Sequence, residues 1–135
     1  MPAPRTIFLV DDDKDFLEME RSILASQGYT VACFTDPRAA LAALRAGAPQ
    51  DGPALVITDL MMKELDAGFS FARAVKSEPG LAGVPVIIVS AVASQRGFDF
   101  RPRTQADLAA MHADAWFDKP VAPDALLARV KELMR

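Results

Sequence analysis

Cysteine, histidine and uninterrupted apolar sequence are all scarce in this chain, and each scarcity excludes something. A single cysteine, Cys33, rules out an internal disulfide framework. Its strand-like apolar setting predicts a reduced, half-buried core residue, which fits a cytoplasmic protein. A single histidine, His112, has no second histidine or cysteine to share a metal with, so it reads as a surface residue near a helix end. No apolar run approaches the roughly 18 residues that would span a bilayer, and Met1-Pro2-Ala3-Pro4-Arg5 lacks the apolar core of a signal peptide. Net charge is −3 with no basic run, so electrostatics give no support for nucleic-acid binding. There are no repeats and no low-complexity linker.

What remains is 135 residues, 51% hydrophobic and 24% charged, enough for one domain with its own core and with no room for a second. Five apolar segments punctuate it: Thr6–Val10, Thr30–Phe34, Leu55–Thr58, Val86–Val89 and Ala115–Phe117. Short apolar runs bounded by turn signals predict strands, and Leu55–Thr58 is expected to be buried on both faces. Helical spacing lies between them. Phe16, Met19 and Ile23 form one stripe, flanked by Leu17 and Leu24, and Gly28 is the stop. Asp36-Pro37 supplies a cap and a first-turn proline for an alanine-rich helix ending at Gly47. Further helices are expected over 69–77, closed by Pro79-Gly80, from Thr104 as N-cap to His112, and from Pro123 with Leu126, Val130 and Leu133 inward. Residues 97–103 are expected to be irregular. The alternation predicts an α/β fold: a doubly wound, five-stranded parallel sheet with helices on both faces.

In such a sheet all strand ends share one edge, where ligands bind. That edge gathers Asp11 and Asp12, Asp59, Ser90 and Lys119. Any one of them could be a plain strand terminator. Together they form a chemical set. Clustered carboxylates favour a hard cation such as Mg²⁺, and a cation plus an ammonium neutralise a transferring phosphoryl group. A carboxylate held there is a candidate nucleophile, and a hydroxyl can sense the phosphoryl oxygens.

Val10-Asp11-Asp12, Thr58-Asp59, Val89-Ser90-Ala91 and Asp118-Lys119-Pro120, in this order and spacing, resemble the signature of response-regulator receiver domains over essentially the whole chain. The resemblance implies a flavodoxin-like receiver of strand order 2-1-3-4-5, a single domain over 1–135 with no output domain. It implies Asp59 as phosphoacceptor and Mg²⁺ held by Asp12, Asp59, the backbone carbonyl of Met61 and, through water, Asp11. It further implies Lys119 on the phosphoryl group, Ser90 and Trp116 as switch residues, and a cis Lys119-Pro120 bond. The implied partners are a histidine kinase or phosphotransfer protein and a downstream protein target, with no nucleic acid and no membrane. The implied protein catalyses only its own phosphorylation and dephosphorylation.

Four departures from the family pattern stand out. Met62 is followed by Lys63-Glu64 where proline is common, and Asp66-Ala67-Gly68 is one residue longer than the usual pair. Trp116 is bulkier than the usual ring, and the segment from Ser90 to Lys119 is longer than is typical. Two other functions compete. Asp11-x-Asp13 imitates the pair of a haloacid-dehalogenase-type phosphatase, and a receiver-like scaffold would need no phosphorylation. Asp13 itself reads as a helix cap. Met61 and Met62 read as packing, and Arg96, Arg101 and Arg103 with Phe98 and Phe100 as a solvated loop or a partner patch.

Overall fold

The computed structural model describes residues 6–47, 55–59, 67–79, 81, 83–90, 104–110, 112–119 and 121–134. In chain order these form β1 (Thr6–Val10), α1 (Lys14–Ala25), β2 (Thr30–Phe34), α2 (Pro37–Gly47), β3 (Leu55–Asp59), α3 (Ala67–Ser77), β4 (Val86–Ser90), α4 (Gln105–Ala110), β5 (Ala115–Asp118) and α5 (Pro123–Leu133). The strands make one parallel sheet, as expected from the alternation, and its order β2-β1-β3-β4-β5 is the one the family resemblance implies.

Side chains alternate across the sheet and create two cores. Phe8, Val10, Val56 and Ile88 pack with Ala40, Leu44, Phe71 and Val75 of α2 and α3. Ile7, Leu9, Ile57, Ile87 and Val89 pack with Phe16, Leu17 and Leu24 of α1 and with Leu126 and Val130 of α5. Every residue of β3 and β4 is buried, which is why those strands read as continuous apolar sequence. Burying each such Val, Leu or Ile contributes on the order of 2 kcal/mol.

Local chemistry sets the helix ends. Asp13 caps α1, its carboxylate accepting from the N–H groups of Asp15 and Phe16 at 3.0 and 3.2 Å. Gly28 takes φ +91° in the turn that follows, a conformation glycine adopts without Cβ strain. The carboxylate of Asp36 accepts from Arg38 N at the start of α2. Thr104 Oγ1 accepts from Asp107 N at 3.1 Å and caps α4. That helix stops at Ala110 rather than His112, because His112 turns to φ 59°.

At the amino end of the sheet, Asp114 ties four elements together. Its carboxylate accepts from Val86 N at 2.8 Å and from Lys76 Nζ at 2.9 Å. Its backbone N–H donates to Val86 O, and its carbonyl accepts from Arg129.

Two expectations are corrected. Cys33 is exposed rather than half-buried, because β2 is an edge strand. The buried stripe of α1 is Phe16, Leu17, Glu20 and Leu24, whereas Met19 is 53% exposed and Ile23 only partly covered. The helix is rolled so that a glutamate, not Met19, faces the sheet.

Candidate phosphoacceptor site

The parallel sheet delivers its strand ends to one edge. Asp11 directly follows β1, Asp59 closes β3, Ser90 closes β4 and Lys119 directly follows β5. Register enforces this: Asp59 pairs with Val89, and Ser90 with Asp118. Asp11 N donates to Phe34 O and Lys119 N to Ser90 O, so both chain exits stay tied to a neighbouring strand.

Asp11 is 1% exposed, Ser90 2% and Asp59 7%, while Asp12 faces outward. Carboxylate oxygens of Asp11, Asp12 and Asp59 lie within 4.8 Å of one another. Lys119 answers this negative charge. Its Nζ donates to Asp11 Oδ2 at 2.7 Å and stands 3.6 Å from Asp59 Oδ2. The ring of Phe16, on the first turn of α1, closes over the ammonium at 4.2 Å, a cation–π contact that also limits water. Asp11 Oδ1 accepts from Asp13 N at 2.9 Å.

Burial pushes the Asp11 carboxyl above its ordinary range. The hydrogen bonds from Lys119 and from Asp13 N–H pull it down, and the charge of Asp12 adds to the rise. A group so placed is short of positive charge. Three hard oxygen donors around an open approach fit a small divalent cation, and Mg²⁺ suits such a partly solvated set. The structure thus brings Asp11, Asp12, Asp59, Ser90 and Lys119 to one edge as anticipated.

Trp116, on β5, packs beside the core of α2 and α3, and its Nε1 donates to Asp118 Oδ1 at 3.1 Å. Several expectations lie outside the described residues: the Met61 carbonyl, the Lys119-Pro120 bond, the Lys63-to-Asp66 part of the loop, the irregular stretch 97–103, and the Arg96, Arg101, Arg103, Phe98 and Phe100 patch. Sequence reasoning missed Glu20, which is buried on the inner stripe of α1. The signal was present in its spacing of four from both Phe16 and Leu24.

A family model for the response regulator receiver domain matches residues 7–131. The chain belongs to the response-regulator receiver family. It is similar to the transcriptional regulatory protein GltR of Pseudomonas aeruginosa, at 31% identity over 97% of this chain and 49% of that protein. It is also similar to the response regulator MprA of Mycolicibacterium vanbaalenii, at 31% identity over 98% and 51%. The chain therefore spans about half the length of these curated relatives. Among solved structures, a CheY-like receiver domain protein from Methanospirillum hungatei superposes with TM-score 0.73 at 26% identity, covering 98% of this chain and 94% of that one. Chemotaxis response regulator CheY4 of Vibrio cholerae superposes with TM-score 0.77 at 24% identity, over 97% and 99%, and supports the receiver fold.

Receiver domains serve two-component signalling, work with histidine kinases and downstream targets, and bind Mg²⁺ at an acidic pocket. No described helix is long and apolar enough to cross a membrane.

Proposed function

We propose that this receiver is a phosphorylation-controlled switch with Asp59 as its phosphoacceptor, and that residues 1–135 act as one domain. The observation that carries the reading is the Lys119 ammonium, set between Asp11 and Asp59 beside the three-carboxylate cluster. A carboxylate oxygen of Asp59 attacks the donor phosphorus. The bond from phosphorus to the donor breaks, its electron pair leaves with the donor, and an acyl phosphate forms. Lys119 offers its charge to the phosphoryl oxygens, and Ser90 its hydroxyl, at the end of the adjacent strand. Asp11, Asp12 and Asp59 would hold Mg²⁺, with the Met61 carbonyl as a further ligand; when bound, the ion neutralises phosphoryl charge.

The phosphoryl group adds about −1.5 to −2 charge. In this reading that charge draws Ser90 and Lys119 toward Asp59 and biases Trp116 between two arrangements. The phosphodonor is a histidine kinase or phosphotransfer protein in the cytoplasm. The output is a contact with another protein, in keeping with a net charge of −3 without a basic run. The phosphatase alternative needs Asp13 turned toward Asp11, and the engagement of Asp13 as the α1 cap speaks against it.

The test is direct. The chain is incubated with Mg²⁺ and acetyl phosphate, and its intact mass is measured. One phosphate increment, lost in Asp59→Asn, is expected. No increment in the unmodified chain overturns the reading. Steady hydrolysis of phosphate esters, lost in Asp11→Asn and kept in Asp59→Asn, reverses it in favour of a phosphatase.

A further inference from the structure

Among the described residues, the buried polar set is Asp11, Thr58, Asp59, Ser90 and Glu20. The first four stand at strand ends on the site edge. Glu20 lies on α1, 2% exposed, in the stripe it shares with Phe16, Leu17 and Leu24. Its Oε2 is enclosed and accepts no hydrogen bond among the described residues. A buried carboxyl without compensation is costly, so something must offset Glu20.

Lys119 offsets part of that cost. Phe16, one turn before Glu20, carries the ring that covers the Lys119 ammonium. Side chains on a helix lean toward its amino end, which raises the Glu20 carboxyl toward the level of Phe16. Among the described residues, the charge that acts on Glu20 is that of Lys119, pulling against the larger upward push of burial. The other α1 ion pair, Glu18 with Arg21, lies on the solvent side. The ammonium is therefore in contact with Asp11 and Asp59 at the strand edge, and it also feels the charge of Glu20 on α1.

Among the described residues, the acids of the cation-binding group are those at the strand edge, Asp11, Asp12 and Asp59. A divalent ion there competes for Asp11, the 2.7 Å partner of Lys119, and repels the ammonium. Glu20 stands outside that competition. We propose that Glu20 is a positioning residue for Lys119: its buried carboxylate is the counter-charge that keeps the ammonium beside Asp59 when a cation occupies Asp11. The inference rests on the phosphoacceptor reading given above.

The experiment is a double-mutant cycle on the full chain with Glu20→Gln, Lys119→Met and both together. Mg²⁺ affinity is read by calorimetry, and the rate of phosphate uptake from acetyl phosphate by mass spectrometry. Glu20→Gln is expected to weaken Mg²⁺ binding and to slow phosphate uptake, each by about three- to tenfold. In the Lys119→Met background the same change should move Mg²⁺ affinity by less than about twofold. An unchanged Mg²⁺ affinity in Glu20→Gln overturns the proposal. So does an equal loss with and without Lys119, the result a merely structural role would give. The isosteric glutamine preserves packing, and urea unfolding of all four proteins checks that the cycle compares folded states. A chain that takes up no phosphate sinks the phosphoacceptor reading, whereas the Mg²⁺ cycle judges Glu20 independently.

Discussion

Lys119 and Asp11, 108 residues apart in the chain, meet at 2.7 Å, with Asp11 enclosed and the lysine side chain largely covered. A buried pair of this kind is asymmetric in its consequences: removing one partner strands the other.

Replacing the lysine should therefore expose the dependence. Without divalent ions, Lys119→Met is expected to lose about 2 kcal/mol of stability, because Asp11 stays buried without its counter-charge. It should also bind Mg²⁺ more tightly, since a competing cation has gone, and saturating Mg²⁺ should restore most of the lost stability. Urea unfolding with and without Mg²⁺ measures both effects. A loss that Mg²⁺ leaves untouched would contradict the electrostatic account.

Glu20 predicts a pH dependence of definite sign. Burial raises its carboxyl above the ordinary value of 4.5, so the native state holds that proton more tightly than the unfolded state does. The corresponding stability is full below about 4.5 and fades as pH climbs through the raised native value. Glu20→Gln has no such proton to lose. Its stability relative to the parent should grow with pH and reach about 1 kcal/mol in its favour near neutrality. Unfolding curves across that range decide it, and a constant difference would refute the assignment.

Asp114 should separate stability from chemistry. Its carboxylate serves Val86 N and Lys76 Nζ at the amino end of the strands, away from the phosphoacceptor edge. Asp114→Ala is expected to cost about 2 kcal/mol by leaving those donors unpaired. Phosphate uptake per folded molecule should remain that of the parent. Urea unfolding and intact-mass kinetics on one preparation test the separation.

Trp116 supplies a built-in reporter, being the single tryptophan and lying three residues before Lys119. Its fluorescence should change on addition of Mg²⁺, and the change should be lost in Asp12→Ala, whose metal affinity should fall at least about tenfold. Asp118→Ala should alter the starting emission by removing the acceptor of the indole N–H. A fluorescence signal indifferent to Mg²⁺ would count against the switch role of Trp116.

The strands and the five edge residues were legible because a parallel sheet makes them so. Strands covered on both faces must be apolar throughout, and the first polar residue after each marks the edge. Asp13 was equally legible, since an aspartate just ahead of an apolar periodic stretch has the chemistry of a cap. Glu20 and Cys33 were not. A stripe of Phe16, Met19 and Ile23 satisfies helical spacing as well as Phe16, Glu20 and Leu24 does. What decides between them is how α1 packs on the sheet, which the spacing within the helix does not specify. Cys33 sits in a strand as apolar as its neighbours, and its exposure follows from β2 lying at the sheet edge, a fact of topology rather than of composition.

Asp11, Asp12 and Asp13 are chemically identical letters with three separate placements: one inward against Lys119, one outward at the cation-binding edge, one turned along the chain to start α1. Deleting any one of them yields the same protein, so a single deletion mutant stands for all three. That mutant keeps two aspartates but has three positions to fill. Either the helix begins without its cap, or the run slides and the site loses a carboxylate. A composition-based comparison would score the change as trivial, yet the connection between β1 and α1 has no spare residue with which to absorb it.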